Sequence, residues 1–196
     1  MTVFRPIKTT TVVAVVFIWL FCASLLGVSG AFEKLGPPLP QVIIVVLTAT
    51  ILTLILRVPR FRWWIFSVDE RILVAPHIFR FVGFYFLLMF QLGELPYRFA
   101  VPGGWGDIGI AALASLLIST LRADTMGGWC AYFAWNLAGF FEIIFVVGTA
   151  TRIGLNDPGS MAALQRMPLC LLPAWLVPII ISTHLALGLR LLVKRP

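Results

Sequence analysis

Charge is what this chain has least of. Asp, Glu, Lys and Arg together make up 12% of its 196 residues, against about 25% in an ordinary soluble domain. Only eight residues are acidic and two are histidine. The cysteines are Cys22, Cys130 and Cys170, each inside an apolar run and none in CxxC spacing, which argues against a disulfide framework or a zinc site. The one glycine-dense run, Gly103-Gly104-Trp105-Gly106, lacks the Lys and Ser/Thr of a phosphate loop, so nucleotide binding has no support. No nucleophile sits beside a base and no ligand cluster is visible, so an enzyme is not expected.

What remains is apolar. Hydrophobic residues make up 60% of the chain and the mean hydropathy is +1.00, more than one small core can hide. A lipid bilayer accommodates that excess, so the composition implies a polytopic membrane protein. The net charge of +7 comes from basic residues placed singly or in short clusters between apolar runs. Cytoplasmic loops and anionic headgroups account for such a pattern, and nucleic acid is not expected as a partner.

A spanning helix needs about 20 predominantly apolar residues. On that rule six spans fall at about 11–29, 39–56, 72–92, 108–121, 129–151 and 167–189. The expected fold is a single-domain, all-α bundle of six transmembrane helices. The first apolar run ends at Val28-Ser29-Gly30, which is similar to a signal-peptide cleavage site. Its length exceeds the usual apolar core of about 7–15 residues, which favours a retained anchor. Arg57, Arg60 and Arg62 interleave with Phe61, Trp63 and Trp64 as an interfacial anchor would.

With the N-terminus inside, one side of the membrane holds Arg5, Lys8, Arg57, Arg60, Arg62, Arg71, Arg122, Arg190, Lys194 and Arg195. The other holds Lys34, Arg98, Arg152 and Arg166. The positive-inside rule then puts both termini in the cytoplasm.

Ionisable and amide groups within spans are the functional candidates. On an α-helix Arg80, Phe84, Leu87 and Gln91 share one face, which suggests a polar seam along the third span. Asn136 and Glu142 lie in the fifth span and His184 in the sixth. Together Arg80, Gln91, Asn136, Glu142 and His184 form a candidate intramembrane polar site for a proton or small solute. His184 is the favoured partner of Arg80 by depth, and Glu142 the better one by charge.

His77 and His184 fall at similar depth, so a haem b between them is an alternative to weigh. Glu94, Pro96, Gly104, Gly106 and Asp107 read as an outer loop, with Asp107 capping the fourth helix. Pro168, Pro173 and Pro178 should bend the last span.

The elements Arg80-x-x-Gly83 and Gly93-x-Leu95-Pro96-x-x-Phe99-Ala100-x-Pro102-x-Gly104-x-Gly106-Asp107 resemble a group of small bacterial polytopic membrane proteins with no assigned activity. Asn136-Leu137-x-Gly139, the acidic Glu142 and the proline-spaced last span are similar as well. The resemblance implies a bacterial inner-membrane location and nothing catalytic. Besides the lipid bilayer, the expected partner is a second copy or another membrane protein, for which the chain would be a structural or accessory subunit.

Overall fold

The computed structural model describes residues 7–193; Arg5, Lys194 and Arg195, used in the charge balance above, lie outside them. The described residues form helices and turns without a strand, and six helical segments are long and apolar enough to cross a membrane. They are α1 (Thr9–Val28), α2 (Leu39–Arg57), a composite third span (Glu70–Gln91), α6 (Tyr97–Thr120), α7 (Met126–Asn156) and a last span (Leu172–Val193). A short helix, α3 (Pro59–Ser67), occupies the basic-aromatic connection after α2. It turns Trp64 and Ile65 inward and leaves Trp63 and its arginines exposed.

Local chemistry explains several boundaries. α1 ends at Gly30 (φ +71°), where the Ala31 N–H reaches back to the Leu26 carbonyl. The third span ends in the same way at Gly93 (φ +75°), with the Glu94 N–H on the Met89 carbonyl. Both are glycine-dependent six-to-one closures that satisfy carbonyls left over at a helix end. The Thr125 hydroxyl accepts from the Gly128 N–H and opens α7.

The third span is built from α4 (Glu70–Val74), a 3-10 segment (Ala75–Val82) and α5 (Gly83–Gln91). An eight-residue 3-10 stretch is unusual, and it stacks side chains at intervals of three. Val74, His77, Arg80, Gly83 and Phe86 are accordingly the buried row of this span. The expected α-helical stripe from Arg80 to Gln91 does not form, because the tighter winding rotates the two ends apart. Gln91 and Phe84 are exposed.

α6 is the second departure. Its first residue is Tyr97, not 108, and Pro102, the glycine run and Asp107 all lie inside the helix. In α6 Gly103, Gly104, Asp107, Ile110, Ala111, Ala114 and Leu117 are buried at steps of three and four. Small residues let it approach the third span closely, as bilayer packing favours. A Cβ on Gly83 would collide with the Gly104 carbonyl oxygen, and one on Gly104 would come within 2.9 Å of the Gly83 carbonyl oxygen.

The last span opens with a π turn (Leu172–Leu176) and continues as α8 (Val177–Val193). The wider turn falls just before Pro178, whose missing N–H interrupts regular α winding. One end of the bundle is tied by Arg190, which donates to the Val68 carbonyl and lies 3.2 Å from Glu70. Glu70 also accepts from the Ala123 N–H at 3.0 Å. At the other end Arg166 pairs with Glu94 on the surface.

Candidate functional site

Midway along the third span, the 3-10 row turns Arg80 into the centre of the bundle, where it is 0% exposed. A snorkelling arginine would extend out of the bundle towards headgroups, and this side chain is instead enclosed by protein. Its Nε donates to Asp107 Oδ1 at 2.6 Å, its Nη1 donates to the Gly139 carbonyl at 3.1 Å, and its Nη2 pairs with Glu142 Oε2. α6 supplies the first partner and α7 the other two. All three guanidinium nitrogens are therefore occupied, and one cation is flanked by two carboxyl groups.

Glycines make the room. A Cβ on Gly106 would sit 2.5 Å from Glu142 Oε1, so the bare α6 backbone is what admits that carboxyl group. A Cβ on Gly139 would sit 2.6 Å from His184 Cε1 and 2.8 Å from its Nε2. Gly139 thus touches both halves of the polar core, through its carbonyl to Arg80 and through its missing side chain to His184.

The second half is a histidine pair. His184 Nδ1 lies 3.0 Å from Asn136 Oδ1, while Asn136 Nδ2 donates to the His184 carbonyl at 3.1 Å. His77 Nε2 lies 3.1 Å from Thr183 Oγ1. The two imidazole rings are in contact, with centroids 4.2 Å apart, and Trp135 packs against both. A haem held by two histidines needs a porphyrin's thickness and an iron between opposed ring nitrogens. Rings in direct contact, tilted by 57°, do not fit that group.

Arg80, Asn136, His184 and the partly exposed Glu142 are brought together as one cluster, and the buried His77 joins it. Gln91 does not. Arg80 meets Asp107 and Glu142 directly, where His184 was the partner expected by depth. The outer-loop reading is corrected at three positions: Gly104, Gly106 and Asp107 are helical, and Asp107 is an ion-pair partner, 3% exposed. Pro96 immediately precedes the helix, and Glu94 remains in an exposed turn. The sequence had a signal for Asp107 in its apolar flank, but the glycine run read as a helix breaker. Thr183 and Trp135 carried no signal at all.

A cavity of about 100 Å³ reaches this cluster. It runs from Pro37, Pro158 and Gln165 at the end of the bundle bearing the Arg166–Glu94 pair down to Arg80 and Asp107. Those two are the only charged residues in its lining among the described residues, and most of the wall is aliphatic or aromatic.

Six membrane-length helices around a charged core define the class as a multi-pass membrane protein. The family model described as a domain of unknown function (DUF8737) matches residues 37–193, and the chain belongs to that family. No curated protein matches the chain, and no solved structure does.

Proposed function

We propose that this is a bacterial inner-membrane protein, with both termini cytoplasmic, whose Arg80–Asp107–Glu142 core takes up and releases a proton as it handles a small solute. The observation that carries the reading is the charge count. Two carboxyl groups, Asp107 buried and Glu142 with 15% of its side chain exposed, share one fully buried guanidinium. If both are ionised the site holds one uncompensated negative charge, which a low-dielectric interior tolerates poorly. A proton or another cation is the natural complement. The cavity ending on Arg80 and Asp107 supplies a route to the site that a dry, closed core would lack.

The test is infrared difference spectroscopy of the protein in liposomes as pH is stepped through the neutral range. A protonated-carboxyl band is expected in the wild type, and it should vanish or shift in Glu142→Gln or Asp107→Asn. No carboxyl band at any pH would overturn the reading.

The alternative is an accessory subunit that docks a partner or a second copy. It is favoured by α1 and α2, the least buried of the spans, whose apolar faces are open to lipid or to another protein. Co-purification of a stoichiometric partner from native membranes, together with absence of the carboxyl band, would support that reading.

A further inference from the structure

The core's open valence and the cavity's walls together specify a ligand class. We propose that the cavity binds a small lipophilic ammonium ion, whose charged end takes the place of the exchangeable proton at the Arg80–Asp107–Glu142 core. This rests on the proton-exchange reading above and adds the substrate to it.

Three observations lead there. First, the Arg80 side chain is 0% exposed and each of its nitrogens already faces Asp107, Gly139 or Glu142, so its remaining N–H groups are shielded from an incoming anion. Second, the cavity reaches Asp107, whose Oδ1 is held by Arg80 and whose Oδ2 forms no hydrogen bond among the described residues. What the cavity offers at its base is therefore an acceptor, and without its exchangeable proton the core carries one net negative charge. A donor with positive charge complements both features, whereas a carboxylate or phosphate would meet a second negative charge. Third, the approach is apolar and partly aromatic. Phe86 and Phe99 line it with ring centroids 5.1 Å apart, and ring faces attract ammonium groups once water is excluded.

Size limits the ligand. A dry cavity of about 150 Å³ takes up benzene, so about 100 Å³ suits a short alkylammonium head and leaves a longer tail to extend towards the mouth. The exchange balances simply. The ammonium nitrogen keeps its protons and donates to the carboxylate, and the carboxyl proton leaves to water, so the core's charge is unchanged by the swap. The charged and titratable groups around it are Arg80 and His77 from the third span, Asp107 from α6, Glu142 from α7 and His184 from α8; α2 contributes Pro40, Gln41 and Ile44 to the lining, none of them charged.

The experiment compares n-butylammonium chloride with n-butanol, alike in shape and different in charge, on the full chain in detergent. Binding is read by ligand-observed saturation-transfer NMR and proton release by a dye in weak buffer. The ammonium should bind, release about one proton per protein and bleach the carboxyl band; the alcohol should bind roughly tenfold or more weakly, the factor that one charge-assisted hydrogen bond represents. Glu142→Gln, which leaves the neutral Arg80–Asp107 pair, should lose both the preference for ammonium and the proton release. Equal binding of the two probes to the wild type overturns the proposal, and this comparison needs no variant to fold. A carboxyl band that persists unbleached in saturating ammonium also overturns it while leaving the proton-exchange reading standing. Absence of the band altogether overturns both.

Discussion

Gly139→Ala adds one methyl group at the place where the two halves of the polar core meet. The new Cβ would lie 2.6 Å from His184 Cε1, 2.8 Å from Nε2 and 3.2 Å from Ile110 Cγ2. The ring cannot easily swing away. Its Nδ1 is held by Asn136 at 3.0 Å, and its faces and edges meet His77, Trp135 and Phe140. Moving α7 instead would stretch the bond from Arg80 to the Gly139 carbonyl. Overpacking of this kind costs about 1–3 kcal/mol, which outweighs the gain of about 0.8–1 kcal/mol that Ala brings over Gly in a helix interior. Gly148 lies further along the same helix, and a Cβ there meets nothing within 4 Å. Gly148→Ala should therefore keep the propensity gain. In thermal unfolding followed by tryptophan fluorescence, the two variants should move in opposite directions, each kcal/mol shifting the midpoint by about 2–4 °C in a chain of this size. If Gly139→Ala stabilises as much as Gly148→Ala, the His184 ring is not where the structure places it.

Arg80→Leu strips both carboxyl groups of their partner and should destabilise by about 3–5 kcal/mol; a chemical-denaturation midpoint unchanged from wild type would contradict the buried triad. Asp107→Ser distinguishes an ion-pair partner from a helix cap: a cap would tolerate serine, whereas here serine should be nearly as damaging as alanine in the same unfolding assay. Gln91→Leu, at an exposed position, should change stability by no more than about 0.5 kcal/mol, and a larger loss would return Gln91 to the core. For threading, single cysteines at Lys34 or Arg166 should react with an impermeant reagent on intact cells and one at Arg122 should not; the reverse pattern would invert the topology.

Fold class was legible because apolar length is a strong signal, and each span is set by backbone satisfaction in lipid more than by propensity. The boundaries of α1 and α2 agree with the hydropathy to within two residues. The fourth span was misplaced for a physical reason. Pro102 and the glycines between 103 and 106 break helices in water, yet in a bundle they lie inside α6, where the same glycines are what the third span packs against. A rule about local propensity met a case where tertiary contact outweighs it.

The candidate site was half legible, and Gln91 was misread for a different reason from Asp107. Arg80, Asn136, Glu142 and His184 stand out because polar groups are expensive within a span, and that argument is independent of winding. Gln91 entered through an assumed period of 3.6, whereas the segment from Ala75 to Val82 winds with a period of three. A row at 74, 77, 80, 83 and 86 cannot be told in advance from a helical stripe by residue type, since Phe84 is as apolar as Phe86. Once that winding sets Arg80 and His77 three residues apart on one line, the rest follows from charge and space. His77 meets the sixth span, Arg80 meets the fourth and fifth, and Gly83 lets α6 come close enough to deliver Asp107. The same row that hides the arginine from lipid also draws a second carboxyl group to it. On the proposed function, that second carboxyl group is what holds an exchangeable proton, where a single ion pair would be only a clasp between helices.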